Sequence, residues 1–489
     1  MSAKANVAVA NAHQVRERNG KYEVGLSQTK REAASKREWV KVRIGDVLEL
    51  INGRAFKPTE WAKSGTPIVR IQNLNNPHAP FNYFEGDLPS KFLLGEGDLL
   101  FAWSGTPGTS FGAHIWRGDK AWLNQHIYKV LFDLTQFDKK FLQLAINQNL
   151  AEYIRAAHGG AGLAHITKGR FEESFLPQPS LLEQKEIVAE IEKQFTRLDA
   201  GVAALRRVQA NLKRYRAAVL KAACEGRLVP TEAELAKTEN RKSKFETDEA
   251  LLARILTERR KNWQGRGKYK EPTASDSTNL ALIPKGWVVA SVDQLCSHIT
   301  SGSRDWSQFY NKGTGTFILA QNVRPMRLDL SARQSVDAPK GDAETERTRI
   351  RKDDILITIV GAKTGDVCRV PSALEDHFVC QSVALLRPVL SGFAKFAEIY
   401  LASQENGQAQ WKRYIYGQGR PHLSFEQLRM TTIPLPSLAE QTRIVAEVER
   451  RLSVIEELEA TVSANLQRAT RLRQSILQKA FSGELSTRQ

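Results

Sequence analysis

The residue types that most often do chemistry are present in this chain, but they are not grouped as chemistry requires. Cys368, His377 and Cys380 are close enough in sequence to suggest a metal, yet they are only a fragment of a ligand set. There is no phosphate loop ending in Gly-Lys-Ser/Thr, no GxGxxG after an opening strand, no HExxH and no GxSxG elbow. Asn76-Pro77-His78 is the nearest approach to the Asn-Pro-Pro-aromatic tetrapeptide with which adenine methyltransferases grip a flipped base, and it has the wrong residues. The glycine loops at 104–112 and 361–365 read as tight turns, able at most to offer backbone N–H groups to a phosphate. His165 and His422 occupy matched positions without a partner base or carboxylate, and they read as capping or core histidines. No catalytic, cofactor-binding or metal-ligating residue is assigned. What remains is polar loop chemistry suited to DNA: Arg54, Lys57, Arg70, Ser104 and Thr106 in the first half, and Arg304, Asp305, Gln308, Lys363 and Arg420 in the second.

Those ten residues are selected by a repeat. PSLLEQKEIVAEIE begins at Pro179 and PSLAEQTRIVAEVE at Pro436, 257 positions later, and the register holds to Gly226-Arg227-Leu228 and Gly483-Glu484-Leu485. So long a period signals duplicated domains rather than a solenoid. The entries recur too: WVKVRIGDVLELINGR from Trp39 resembles WVVASVDQLCSHITSGSR from Trp287. Each predicts a short strand, an acidic-apolar helical turn, and a bend at Gly53 or Gly302. The apolar strands after Asp98 and Asp354 run into glycine loops, with Gln125 and Gln381 at matched distances beyond. Positions identical in both repeats, such as Gln72-Asn73 against Gln321-Asn322, cannot distinguish two different targets and read as architectural. Polar loop positions that differ are the candidates for base readout and its local phosphate contacts.

The elements that position these loops are long helices. Ile187, Ile191, Phe195, Leu198, Val202, Leu205, Val208, Leu212, Tyr215 and Val219 give a heptad-like seam, as do Ile444, Val448, Leu452, Ile455, Val462, Leu466, Leu472 and Ile476. Proline before each helix and glycine after it set the start and stop. Some forty residues at ~1.5 Å each make a rod of roughly 60 Å. The economical arrangement has each helix sealing the other's stripe.

The divisions expected are an N-terminal extension, partly disordered, at 1–37; a first domain at 38–178; a first repeat helix at 179–230; a helical and linker segment at 231–283; a second domain at 284–433; and a second repeat helix at 434–489. The formal net charge of +17, from 71 Lys+Arg against 54 Asp+Glu, favours a polyanionic partner. No apolar run approaches a membrane span, MSAKANVAVANAHQ lacks signal-peptide architecture, and four cysteines without a CxxC pair fit a reducing cytoplasm.

Assembled, the two Trp-started domains, the repeated Glu-Gln-x-x-Ile-Val-Ala-Glu helix and the Gly-x-Leu endings resemble the specificity subunits of type I restriction–modification systems. ALLARILTERRKNW, then KYKEP and IPKGW, is similar to the interdomain stretch of many of them. The resemblance spans nearly everything from Trp39 to Leu485; the extension before Trp39 departs from it. It implies an α+β fold of two mixed target recognition domains, separated by long helices in an antiparallel coiled coil, as a pseudo-twofold internal repeat. Ile187, Ile191, Leu198, Leu205 and Leu212 would pack with Val448, Leu452, Ile455, Val462 and Ile476. It further implies a non-catalytic, cytoplasmic chain that binds a split target in double-stranded DNA and docks modification subunits, two in number. S-adenosylmethionine, ATP and magnesium would lie on partner subunits, and restriction/translocase subunits would attach through the modification subunits. A coiled-coil protein adaptor and a DNA-binding enzyme with an unrecognised motif are the competing readings.

Overall fold

The computed structural model describes residues 39–76, 78–105, 109–156, 164–238, 246–265, 267–274, 283–302, 306–415, 419 and 421–484. The extension expected at 1–37 lies outside them, as do the candidate DNA contacts Thr106, Arg304, Asp305 and Arg420. Contacts divide the chain into two compact units: residues up to Ala203 together with those from Leu466, and Ala204–Asn465.

In the first unit the sequence around Trp39 gives a strand, Val40–Arg43, a single helical turn, Ile44–Val47, and a second strand, Leu48–Asn52. The second strand enters an antiparallel sheet in the order Leu48–Asn52, Ile127–Phe132, Leu99–Ala102, Gly112–Ile115. A smaller sheet is built on the parallel pair Thr66–Val69 and Ala121–Leu123. Leu99–Ala102 is buried along its length, as expected for an unbroken apolar run in a central strand.

The second unit repeats this connectivity. Val288–Ser291, Val292–Leu295 and Cys296–Ser301 reproduce the strand, turn and strand. The antiparallel sheet runs Cys296–Ser301, Val383–Pro388, Ile355–Thr358, Val367–Arg369, and Tyr310–Ile318 pairs in parallel with His377–Val379. The bend glycines are matched in function as well as position. A Cβ on Gly53 would overlap the Asn124 carbonyl, and one on Gly302 the Val379 carbonyl.

The repeated Asn is architectural in both copies. Asn73 accepts from Arg70 N–H at 3.0 Å and donates to Ala79 O at 3.3 Å. Asn322 accepts from Leu319 N–H at 2.9 Å and donates to Asp329 O at 2.8 Å and Ala332 O at 2.7 Å. Each closes a loop whose backbone groups lack ladder partners.

The long helices are Leu181–Cys224 and Leu438–Phe481. Both stop on a glycine with positive φ, 64° at Gly226 and 74° at Gly483. The next N–H bonds back to the last turn, Arg227 to Ala222 O at 2.9 Å and Glu484 to Lys479 O at 3.0 Å. In both starts the repeated glutamine reaches back to the proline carbonyl, Gln184 to Pro179 O at 3.0 Å and Gln441 to Pro436 O at 2.7 Å.

Helix pairing is antiparallel within each unit. In the first, Ile187 and Ile191 share a core with Ile476 and Ala480, and Asp199 ion-pairs with Arg473. In the second, Arg216 pairs with Glu456 at 3.7 Å and with Glu459 at 3.0 Å, and Arg443 pairs with Glu232 further along.

Two features differ from the sequence reading. The seam is narrower, because Val208, Tyr215 and Leu472 are exposed while Leu212, Val219, Val448, Leu452, Ile455, Val462 and Ile476 are buried; Leu198 and Leu205 are half-buried. Leu205, Leu212 and Val219 follow a seven-residue line that stays inward, and the offset line through Val208 and Tyr215 turns outward. The helices also do not seal only each other: Ile187, Ile191 and Ile476 pack on Phe141, Leu142 and Phe171 of the first domain, and Phe481 meets Phe141 at 5.4 Å.

The segment read as helix and linker is largely docked. Its helix, Asp248–Lys261, packs on the second domain through Leu251 and Ile255. Beyond it, Thr273 N–H donates to Asp293 at 2.9 Å, and Thr273 O accepts from Ser291 Oγ at 2.6 Å.

Candidate nucleic-acid interface

Pairing of Ser104 with His165 across the strand end, and of Val360 with His422 in the second unit, fixes the equivalence of the two domains at their loop ends. The sheet registers then match Asn52 to Ser301, Trp103 to Ile359, His126 to Ser382 and Tyr128 to Ala384. One backbone therefore carries two different sets of side chains.

In the first unit that set is aromatic and polar, with Tyr128 itself buried. Half-buried Trp103 stacks on Tyr128 at 5.8 Å and meets His126 at 5.4 Å and the edge of His165 at 4.6 Å. Its indole N–H donates to Asn52 Oδ1 at 3.3 Å. Gln125 donates Nε2–H to His126 Nε2 at 3.1 Å, which puts the imidazole proton on Nδ1, a buried atom with no partner among the described residues. Burial lowers the His126 pKa first, and the charges of His165 and Arg70 lower it further. A neutral imidazole hydrogen-bonds rather than neutralising phosphate, so the group suits base edges better than backbone. In the matched set of the second unit Ile359 and Ala384 are buried and only Ser301 and Ser382 are partly accessible, so no aromatic group is presented there.

The sequence candidates within the described residues fall into three groups. Arg70 and Ser104 join the Trp103 group: Arg70 acts on His126 and lies over the Trp61 ring at 5.4 Å, and Ser104 adjoins Trp103. Arg54 is held elsewhere. Its guanidinium ion-pairs with Glu60 and lies over Phe56 at 4.8 Å and Phe84 at 5.2 Å, which makes it a loop anchor. Lys57, Gln308 and Lys363 are exposed on separate turns. Sequence reasoning missed Asn52, Trp103 and His126, although each differs between the repeats and the same filter could have found them.

One expectation at the loop ends agrees with the structure and one is corrected. The loop at 361–365 is a tight turn, in which the N–H groups of Gly361, Thr364, Gly365 and Asp366 bond to Pro421, Gly361, Thr358 and Lys363 carbonyls. His165 and His422 are not core histidines: both are exposed, their backbones pair with Ser104 and Val360, and the His165 ring also lies against Trp103. Cys224, Cys296, Cys368 and Cys380 are free and buried, and among the described residues no group of His, Cys, Asp or Glu is placed to hold a metal.

Comparison with known proteins agrees with this arrangement. A family model described as the type I restriction modification DNA specificity domain matches residues 36–203 and 284–468. The chain is similar to the type I restriction enzyme EcoBI specificity subunit of Escherichia coli, 27% identical over 462 residues, covering 92% of this chain and 86% of that protein. It is 24% identical to the EcoKI specificity subunit of Escherichia coli (strain K12), covering 92% and 89%. A solved chain from work on complex assembly and conformational transition of the type I R-M system has the same fold, with a TM-score of 0.64 at 20% identity, covering 92% of this chain and 98% of that one.

Proposed function

Because this chain belongs to the type I restriction modification DNA specificity family, we propose that it gives such a complex its sequence preference, reading one half of a split DNA target with each globular domain. The observation that carries this reading is the matched backbone with unmatched side chains. Asn52, Trp103, His126 and Tyr128 stand in the first domain where Ser301, Ile359, Ser382 and Ala384 stand in the second. A duplicated scaffold with different side chains at equivalent places suits the reading of two different half-sites.

The chain acts without chemistry of its own, and methyl transfer and ATP-driven steps belong to modification and restriction subunits with their S-adenosylmethionine, ATP and magnesium. Two modification subunits dock on the long helices. Supporting this, Val208, Tyr215, Val454, Leu458 and Leu472 leave apolar side chains exposed there. Among the described residues no helix is long and apolar enough to cross a membrane, and the site of action proposed is the cytoplasm.

The test is to map methylated adenines in a genome expressing this chain with its modification subunit. One split motif that changes in a single half when residues 284–433 are exchanged supports the reading. Methylation by the chain alone, or no enriched split motif, overturns it.

A further inference from the structure

The interdomain segment builds a basic cleft that the recognition loops do not account for. After the helix Asp248–Lys261 the chain runs back over the second domain, pinned by Tyr269. The Tyr269 hydroxyl is 2.8 Å from Arg259 Nη1, and its ring lies under Arg259 at 5.6 Å and Arg260 at 5.5 Å. Trp263 meets that ring edge-on at 5.9 Å. Between this strap and the strand Cys296–Ser301 lies a cleft of about 320 Å³, lined by Arg259, Lys268, Lys270 and Arg429 with one carboxylate, Asp293.

That carboxylate is already engaged. Asp293 accepts from Thr273 N–H at 2.9 Å and pairs with Arg429 at 3.4 Å and Arg259 at 3.6 Å. Lys268 and Lys270 are exposed, and no ion pair is found for them among the described residues. Both line the cleft, one on each side of Tyr269 in the strap's sequence. His298, at the floor, donates Nε2–H to Arg347 O at 3.0 Å, and burial lowers its pKa, so it adds no charge.

We propose that this cleft holds phosphates of the DNA backbone, supplying affinity without sequence preference. The inference rests on the reading of the chain as a DNA specificity subunit. Lysine point charges on an open cleft suit a passing polyanion better than a captured free anion, which calls for a cradle of backbone N–H groups. The cleft is also private to the second unit. Gly45 stands where Asp293 does, beside Glu172 where Arg429 stands, and a Cβ on Gly45 would lie 3.0 Å from Glu172 Cβ.

The experiment compares the full chain, assembled with its modification subunits, with its K268A/K270A variant on cognate and scrambled duplexes across a salt series. The expected result is weaker binding to both duplexes by a common factor of about tenfold, and a log–log salt slope reduced by about 1–2. Unchanged slope and affinity, or a loss confined to the cognate duplex, overturns the proposal. Inorganic phosphate titrated at constant ionic strength, read by Trp263 fluorescence, separates the sources: saturation by phosphate with no response to duplex also overturns it. If the wild-type complex does not prefer cognate over scrambled DNA, the specificity reading itself fails, whatever the slope.

Discussion

Trp287 donates its indole N–H to Glu440 Oε1 at 2.8 Å, tying the entry of the second domain to the first turn of the second long helix. Trp39, at the same point of the first repeat, finds no acceptor for its buried Nε1 among the described residues. The reason is the alternative use of the repeated glutamate. Glu183 turns back to Ser180, accepting from its N–H at 3.1 Å and its hydroxyl at 2.9 Å in a capping box. Glu440 turns away, and its other oxygen accepts from Glu232 N–H at 3.0 Å. Asp248 from the interdomain helix takes the vacated place beside Ser437, whose backbone bonds to it.

Asp248 makes the second unit sensitive to pH. Burial, then the charges of Glu440 and Glu249, raise its pKa to about 7 from the ordinary 3.8. The folded state thus holds a proton the unfolded state releases, so stability is fully present below about pH 4 and falls as pH rises towards 7. Asp248→Asn should stabilise the chain more at pH 8 than at pH 5, by an amount on the order of 1–3 kcal/mol. Equal effects at the two pH values in thermal melts would refute this.

The two repeated glutamines should differ in worth. Gln184 donates to Pro179 O and, at 2.8 Å, to Gln136 O, and accepts from Asp138 N–H at 2.8 Å. Gln441 keeps the proline bond, but its Oε1 has no partner among the described residues. Gln184→Ala should cost about 2–4 kcal/mol and Gln441→Ala about 1–2. Hydrogen exchange of the amides around 138 and 440 checks the order, and the reverse order counts against it.

Trp103→Ala should relax discrimination at one half-site only, by about 1–3 kcal/mol at the base pairs concerned. Competition binding against duplexes randomised in one half at a time reads this directly. Equal relaxation of both halves would show that the residue supports the fold rather than the readout.

Inserting one heptad into each long helix should change the gap between half-sites while leaving both half-sequences intact. Methylation mapping of the variant measures the gap, and an unchanged gap would remove the helices from the spacing role.

Much of the scaffold was legible because it follows from local rules. The strand, turn and strand after Trp39 and Trp287, and the stops at Gly226 and Gly483, depend on a few adjacent residues. The Trp103 group was not legible. Residues near 52, 70, 126 and 165 converge on it only through sheet pairing across long separations, and alternation along a strand gives a face but not its neighbours. Asp248 was hidden for the same reason, since its partners start another helix far along the chain. Arg54 shows the converse error: a loop arginine that looked free is neutralised by Glu60, six residues away.

The core shared by Ile187, Ile191, Ile476 and Ala480 has a consequence for synthesis. The last helical turns of the chain complete a domain whose other residues left the ribosome long before. Until Phe481 emerges, the first domain waits with an open apolar groove, while the second can close entirely from residues already made. The domain encoded first is thus the one finished last, and its exposure to chaperones and proteases is set by the time taken to translate the other.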